Sequence, residues 1–109
     1  EGIRFEVKIT ERKNNQIKYS VKITNLYNTS VKFDFTNANN VYLKLSDGSV
    51  IKQTSIITSD DNNVNLEKDA YITKDFVFNV SLENQSNIKS LVFTSINVDE
   101  NSRDVIISF

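Results

Sequence analysis

The chain has 109 residues, 39% of them hydrophobic and 25% charged, with a formal net charge of −1; this suits one folded domain and excludes a disordered chain. A near-neutral balance provides no concentrated basic face for nucleic acid or an anionic membrane, so neither is expected as a partner. With no Cys and no His, disulfides, thiolate zinc sites and thiol catalysis are excluded, and the commonest general base is missing.

From Ile3 to Thr10 apolar and polar residues alternate without error, Ile3, Phe5, Val7 and Ile9 to one face, which predicts a half-buried strand. "IKYSVKIT" at 17–24 repeats the pattern, and the two are expected to form a hairpin across the polar stretch Glu11 to Gln16. Matching apolar faces leaves two registers. Ile9 opposite Tyr19 sets Glu6 against Lys22, whereas Ile9 opposite Ile17 sets Lys8 against Lys18 and Arg4 against Lys22. Like charges directly opposite are unfavourable, so the first register is predicted.

Val31, Phe33 and Phe35 mark a third strand and Val41, Leu43 and Leu45 a fourth, separated by "TNANN". Asp47-Gly48 reads as a tight type I′ turn, followed by a fifth strand from Val50 to about Ile57, loop at 58–63 and a short strand from Val64 to Leu66. Tyr71 to Val80 forms a long strand in which Lys74 interrupts the apolar face. "SLENQSN" closes it, Ile88 to Ile96 is the next strand, and Val105 to Phe109 follows the polar turn "DENSRD". No window sustains a helical period. Short strands with a turn signal about every ten residues predict an all-β fold, an antiparallel immunoglobulin-like β-sandwich of about eight strands in a single domain over residues 1–109.

Acidic residues fall mostly on outward strand positions or in turns, where solvent keeps them ordinary, so no catalytic residues are expected and the chain reads as a non-enzyme. Asp60, Asp61 and Asn62 with Asn63 offer oxygen ligands of the kind Ca²⁺ prefers, as do Asp99, Glu100 and Asp104, but without the spacing of a calcium loop, and turns favour Asp and Asn for backbone reasons. No metal or cofactor is assigned. The sequons at Asn28, Asn79 and Asn84 match a glycan acceptor pattern that chance supplies in a chain with 15 Asn. Tyr27, Tyr42 and Tyr71 lie at strand ends or on mixed faces, where an aromatic ring with a polar tip serves either a rim or a binding surface. The binding candidates are Tyr27, Asn28, Asp60, Asp61 and Asn62, on loops that a sandwich gathers at one end, with strand addition at an open sheet edge as the other mode of recognition.

No apolar run reaches the roughly 20 residues of a membrane helix, and Glu1-Gly2-Ile3-Arg4 carries neither an initiator Met nor a signal-peptide pattern, so a longer natural protein is expected. The bias toward Asn, Ile and Lys, with only 3 Arg and no Pro, Trp or Met, is that of an AT-rich bacterial genome.

The order of strand, Thr24-Asn25, polar loop and strand in "YSVKITNLYNTSVKFDF", followed by "VYLKLSDGSVI", resembles the "V-T-N-x-S-x-x-P-V" and "L-x-D-x-D-G" stretches of small bacterial immunoglobulin-like domains. These occur in secreted proteins and lipoproteins of Gram-positive bacteria, in a family of unknown function related in fold to a secreted mycobacterial antigen. The BsuPI-like domain, named for an intracellular proteinase inhibitor, carries a similar pattern. The resemblance runs from about Phe5 to Val80 and departs from both at two places: "LEKDA" replaces a Pro-Gly turn, and "IKQTSIITSDDNN" replaces the aromatic-rich loop of the inhibitor-like domain. It implies a non-enzymatic binding or spacing module in the cell envelope or medium, with another protein or an envelope component as partner. The alternatives are a proteinase inhibitor presenting the loop around Thr58 to Asn63, and a purely structural domain of a surface or phage protein.

Overall fold

A computed structural model describes residues 2–54 and 63–109. The alternation at the start of the chain builds a long hairpin of β1 (Ile3–Lys13) and β2 (Gln16–Asn25), longer than the apolar pattern alone indicates because only Asn14 and Asn15 turn. Its register sets Glu6 opposite Lys22, Lys8 opposite Ser20 and Ile9 opposite Tyr19, as charge complementarity requires. The remaining strands are β3 (Val31–Asp34), β4 (Val41–Leu45), β5 (Val50–Lys52), β6 (Asn63–Leu66), β7 (Tyr71–Phe78), β8 (Ile88–Val98) and β9 (Asn101–Ser108). All described pairs are antiparallel.

The strands form two sheets, a small one in the order β1-β2-β7 and a large one in the order β5-β4-β8-β3-β6, with β9 paired to β8. Their inner faces share one hydrophobic cluster, in which Phe35, Phe76 and Phe93 meet edge to face at centroid separations of 5.4 to 6.4 Å and Phe5 stacks on Phe93 at 5.0 Å. The expected all-β antiparallel sandwich is the fold, with nine described strands, and the large sheet curls because β8 bends. Phe93 pairs with Val105 and Ile96 with Arg103, so Thr94 and Ser95 together oppose Asp104, a bulge in which Ser95 has φ 60°. The bulge lets one strand pair with β4 through Val41–Leu45 and with β3 at Val31 and Lys32, and it moves Ile96 and Val98 onto the core face after Leu91 and Phe93.

Several boundaries differ from the sequence reading. The type I′ turn lies at Asp99-Glu100, where φ is 53° and 67°, and β9 therefore begins at Asn101, not at Val105. At Asp47-Gly48 only Gly48 has positive φ, 91°; Gly48 N–H donates to Leu45 O at 2.9 Å and Leu45 N–H to Ser49 O at 2.9 Å, the hydrogen bonding of a three-residue turn ending in a left-handed residue. The Ser49 N–H and hydroxyl both donate to Asp47 Oδ1 and hold that carboxyl below its usual range. β5 ends at Lys52, with Gln53 bridging to Phe78, and the rest of the expected fifth strand lies outside the described residues. "SLENQSN" contains one turn of helix, α1 (Leu82–Gln85), capped by the Ser81 hydroxyl accepting from Asn84 N–H.

Candidate functional site

The loop expected to bind, Leu26 to Ser30, is built on Asn25. Its side chain is fully buried and donates through Nδ2 to Thr29 O and Leu66 O, each at 2.9 Å, while Oδ1 accepts from Tyr27 N–H at 2.8 Å. Tyr27 is half-buried against Gly2, where a Cβ would come within 2.0 Å of its ring, and the Arg103 guanidinium lies 5.6 Å from the ring centre. Asn28 is exposed. Asp60, Asp61 and Asn62, the other half of the expected site, lie outside the described residues, as do residues 58–62 of the loop assigned to an inhibitor. Tyr71 is 63% exposed and carries Lys22 Nζ 4.4 Å above its ring, while Tyr42 lies on the outer face of β4, opposite Lys52 and Val92.

The acidic residues at 99–104 serve the backbone of the β8–β9 hairpin. Asp99 and Glu100 are the two turn residues, and Asp104 Oδ1 accepts from Ser95 N–H at 3.2 Å to fix the bulge. Among the described residues no group of three or more acidic side chains gathers to hold a metal, and no helix is long and apolar enough to cross a membrane.

A different feature arises from the topology. On one side the sandwich is drawn shut, since Gln53 bridges to Phe78 and Thr54 N–H donates to Val77 O at 2.9 Å, joining the end of β5 to β7. On the other side, among the described residues, β1 pairs only with β2 and β9 only with β8. Burial follows: Ile17, Tyr19, Val21 and Ile23 of β2 are buried, whereas Ile3, Phe5 and Val7 of β1 and Val105 and Ile107 of β9 are only partly covered. At the far end Ile9 is 45% and Phe109 58% exposed.

Which backbone groups are free follows from one contact. Leu26 N–H donates to Gly2 O at 2.8 Å, so this is a hydrogen-bonded pair. By alternation Arg4, Glu6 and Lys8 bond to β2, while Ile3, Phe5, Val7 and Ile9 turn their N–H and C=O groups to the open side. Likewise Phe109 N–H donates to Lys89 O at 2.9 Å, which leaves the groups of Ile106 and Ser108 facing outward.

Between these edges lies a groove of about 350 Å³ bounded by Val7, Ile9, Arg12, Ile88 and Phe109, with Tyr19 at its floor. Tyr19 stacks on Phe109 with ring centres 5.6 Å apart, and burial raises the pKa of its phenol, an effect the nearby Arg12 charge opposes. The wall is held rigidly. Gln85, 4% exposed, donates through Nε2 to Lys13 O at 2.7 Å, Val80 O at 3.0 Å and Gln16 O at 3.3 Å; Leu82 N–H and Val80 N–H donate to Asn14 O and Asn15 O. Sequence reasoning singled out neither Gln85 nor Phe109 as part of a site, because an open edge depends on strand order.

Fold and groove thus define an antiparallel β-sandwich that, among the described residues, has one closed and one open side. The chain matches no family model, and no curated protein matches it. Among solved structures, the X-ray structure of Northeast Structural Genomics Consortium target SoR45 is similar at a TM-score of 0.51 and 12% identity, over 98% of this chain and 83% of that one. At such identity the likeness is one of fold. Two structures of the GH20 exo-β-N-acetylglucosaminidase from Vibrio harveyi, one in complex with N-acetylglucosamine and one an inactive mutant, align at a TM-score of 0.44 and 10% identity, over 99% of this chain and 18% of theirs; that similarity is too low to carry an inference about this chain.

Proposed function

We propose that the chain is a non-enzymatic binding module that accepts an extended segment of a partner protein as an added strand along β1. The observation that carries this reading is the edge itself: Val7 and Ile9 turn backbone groups that no described residue pairs to the open side, while their side chains stand at a groove that β1 and β9 leave incompletely covered. Strand addition supplies both needs, since main-chain hydrogen bonds give affinity and alternate side chains enter the groove. Edge strands of natural proteins are normally covered or blunted; β1 has charges on its solvent face, and its bulge at Thr10 comes only beyond Ile9. The lack of His and Cys supports a non-enzymatic role, and the sequence resemblance from Phe5 to Val80 supports work outside the cytoplasm as part of a larger bacterial protein.

The test is titration of ¹⁵N-labelled protein with the neutral peptide acetyl-Thr-Phe-Thr-Leu-Gln-Gln-amide. The expected result is shifted resonances and slowed hydrogen exchange at the amides of Val7 and Ile9, with Leu26 to Ser30 unaffected. Unchanged β1 amides, or changes confined to Leu26 to Ser30, would overturn the reading.

A further inference from the structure

We infer that the strand taken up along β1 is the β1 of a second copy of this chain, in an antiparallel pair whose twofold axis passes through Val7. This rests on the strand-addition reading and names the partner. Arg4, Glu6 and Lys8 stand exposed on the outer face of β1, and their signs alternate. Charge on an edge strand ordinarily discourages self-pairing, because a row of one sign meets itself. An alternating row does so only in some registers. The backbone allows any register whose twofold axis passes through a residue, since each sets the outward groups of Ile3, Phe5, Val7 and Ile9 against one another; an axis between residues does not.

Charge decides among these registers, since like charges directly opposite are unfavourable and unlike ones attract. A pair centred on Glu6 sets Glu6 against its own copy and Arg4 against Lys8, and one centred on Lys8 sets Lys8 against its own copy. Centred on Phe5, the pair matches Arg4 with Glu6 but carries Lys8 to Gly2 and leaves Ile9, 45% exposed, past the start of β1 in the second copy. Centred on Val7, Glu6 faces Lys8 on both sides of the axis, Phe5 lies opposite Ile9, and Arg4 faces the uncharged Thr10. The new ladder then ends where β1 ceases to be regular, because Thr10 is the extra residue of the bulge between Ile9 and Glu11. Glu6 is available for this: its cross-strand neighbour Lys22 holds its ammonium 4.4 Å over the Tyr71 ring, and among the described residues neither Glu6 nor Lys8 is in an ion pair. Val7 with its own copy, and Phe5 with Ile9, exchange main-chain hydrogen bonds, which joins two small sheets in the order β7-β2-β1-β1-β2-β7. Side chains directly opposite share a face, so Ile9 gains an apolar neighbour in Phe5 of the second copy. The contact is the same patch on both copies and closes at two.

The experiment is sedimentation equilibrium of the whole chain, with amide hydrogen exchange followed at the same concentrations. A short edge contact makes a weak dimer, expected to form at about 0.1–1 mM, with slowed exchange at Phe5, Val7 and Ile9. K8E replaces two ion pairs by two pairs of facing carboxylates and should weaken the dimer about tenfold at low salt, a difference that shrinks at high salt. E6K should weaken it likewise, and an equimolar mixture of K8E and E6K, each checked for native circular dichroism, should recover a mixed dimer. K8E alone already separates the registers, because Lys8 faces the neutral Ser20 within its own sheet and meets no charge in a pair centred on Phe5. A monomer throughout that range, a dimer that K8E does not weaken, slowed exchange on β9 instead of β1, or assemblies that grow beyond two copies would overturn the second copy as partner. Strand addition is read separately by the neutral peptide on K8E, where self-pairing no longer competes. Unchanged β1 amides in that titration overturn strand addition, and this inference with it.

Discussion

The side chain of Asn25, at the end of β2, donates to the carbonyl oxygen of Leu66, at the end of β6, at a distance of 2.9 Å, and so ties the small sheet to the large one through a single buried amide. The same amide holds Thr29 O and Tyr27 N–H. Asn25→Ala leaves these groups without their partner, at about 1–3 kcal/mol for each that stays buried. A loss of about 2–4 kcal/mol in urea unfolding is expected, together with faster proteolysis between Leu26 and Ser30.

Left-handed backbone is costly for residues with a side chain, by about 1–2 kcal/mol. Ser95 (φ 60°) and Glu100 (φ 67°) are both in that region. Ser95→Gly and Glu100→Gly should each raise stability by about 0.5–1 kcal/mol, which thermal unfolding would register as a higher Tm. Asp104→Ala should lower it, and Asp104→Asn, which keeps an acceptor for Ser95 N–H, should recover most of the loss.

Tyr19 gives the protein an alkaline limit. Burial raises its folded-state pKa above the ordinary tyrosine value of 10.0, so the unfolded chain releases this proton first. The stability linked to Tyr19 is fully present below the unfolded pKa and is lost as pH rises through the folded one. Denaturant titrations between pH 8 and pH 12 should show a decline that is reduced in Tyr19→Phe. Because the Arg12 charge favours the ionised phenol, Arg12→Gln should move this decline to higher pH.

Gln85 can hold three carbonyls only because its amide donates. Gln85→Ala should cost about 2 kcal/mol and accelerate hydrogen exchange at the tip of the β1–β2 hairpin. In Gln85→Glu an ionised side chain has no donor to offer and burial disfavours its charge, so its folded pKa is raised. That variant should be more stable at pH 4 than at pH 7, the reverse of what a solvent-paired acid would give.

What the sequence made legible was what local pattern controls. The alternation in Ile3–Ile9 and Ile17–Ile23 located the first two strands, and charge pairing chose Glu6 against Lys22 over a slip that would have preserved the apolar faces equally well. The turns were harder. Asp47-Gly48 carries the residues of a type I′ turn, yet Asp47 does not adopt positive φ there, whereas Asp99-Glu100 adopts that turn without its usual glycine because Val98 and Asn101 are held by a long ladder on either side. β8 was cut short at Ile96 and β9 begun late at Val105 because the bulge at Ser95 breaks a two-residue period. The site was less legible still. Tyr27 and Asn28 could be named from loop chemistry, but the groove depends on β1 and β9 each lacking a second neighbour among the described residues, and nothing in Val7, Ile9 or Phe109 taken singly announces it.

The bulge in β8 also fixes how the chain tolerates changes of length. Thr94 can be exchanged for other side chains without disturbing which residues point to the core, because the spacing between Phe93 and Ile96 is unaltered. Removing Ser95 would instead reverse the phase of everything beyond it in the strand. Asn97 would be carried inward, Ile96 and Val98 would be turned to solvent, and both the β3 and β9 ladders would lose their alignment at once. Along β8, then, a substitution is a local event, but a one-codon deletion rewrites two ladders.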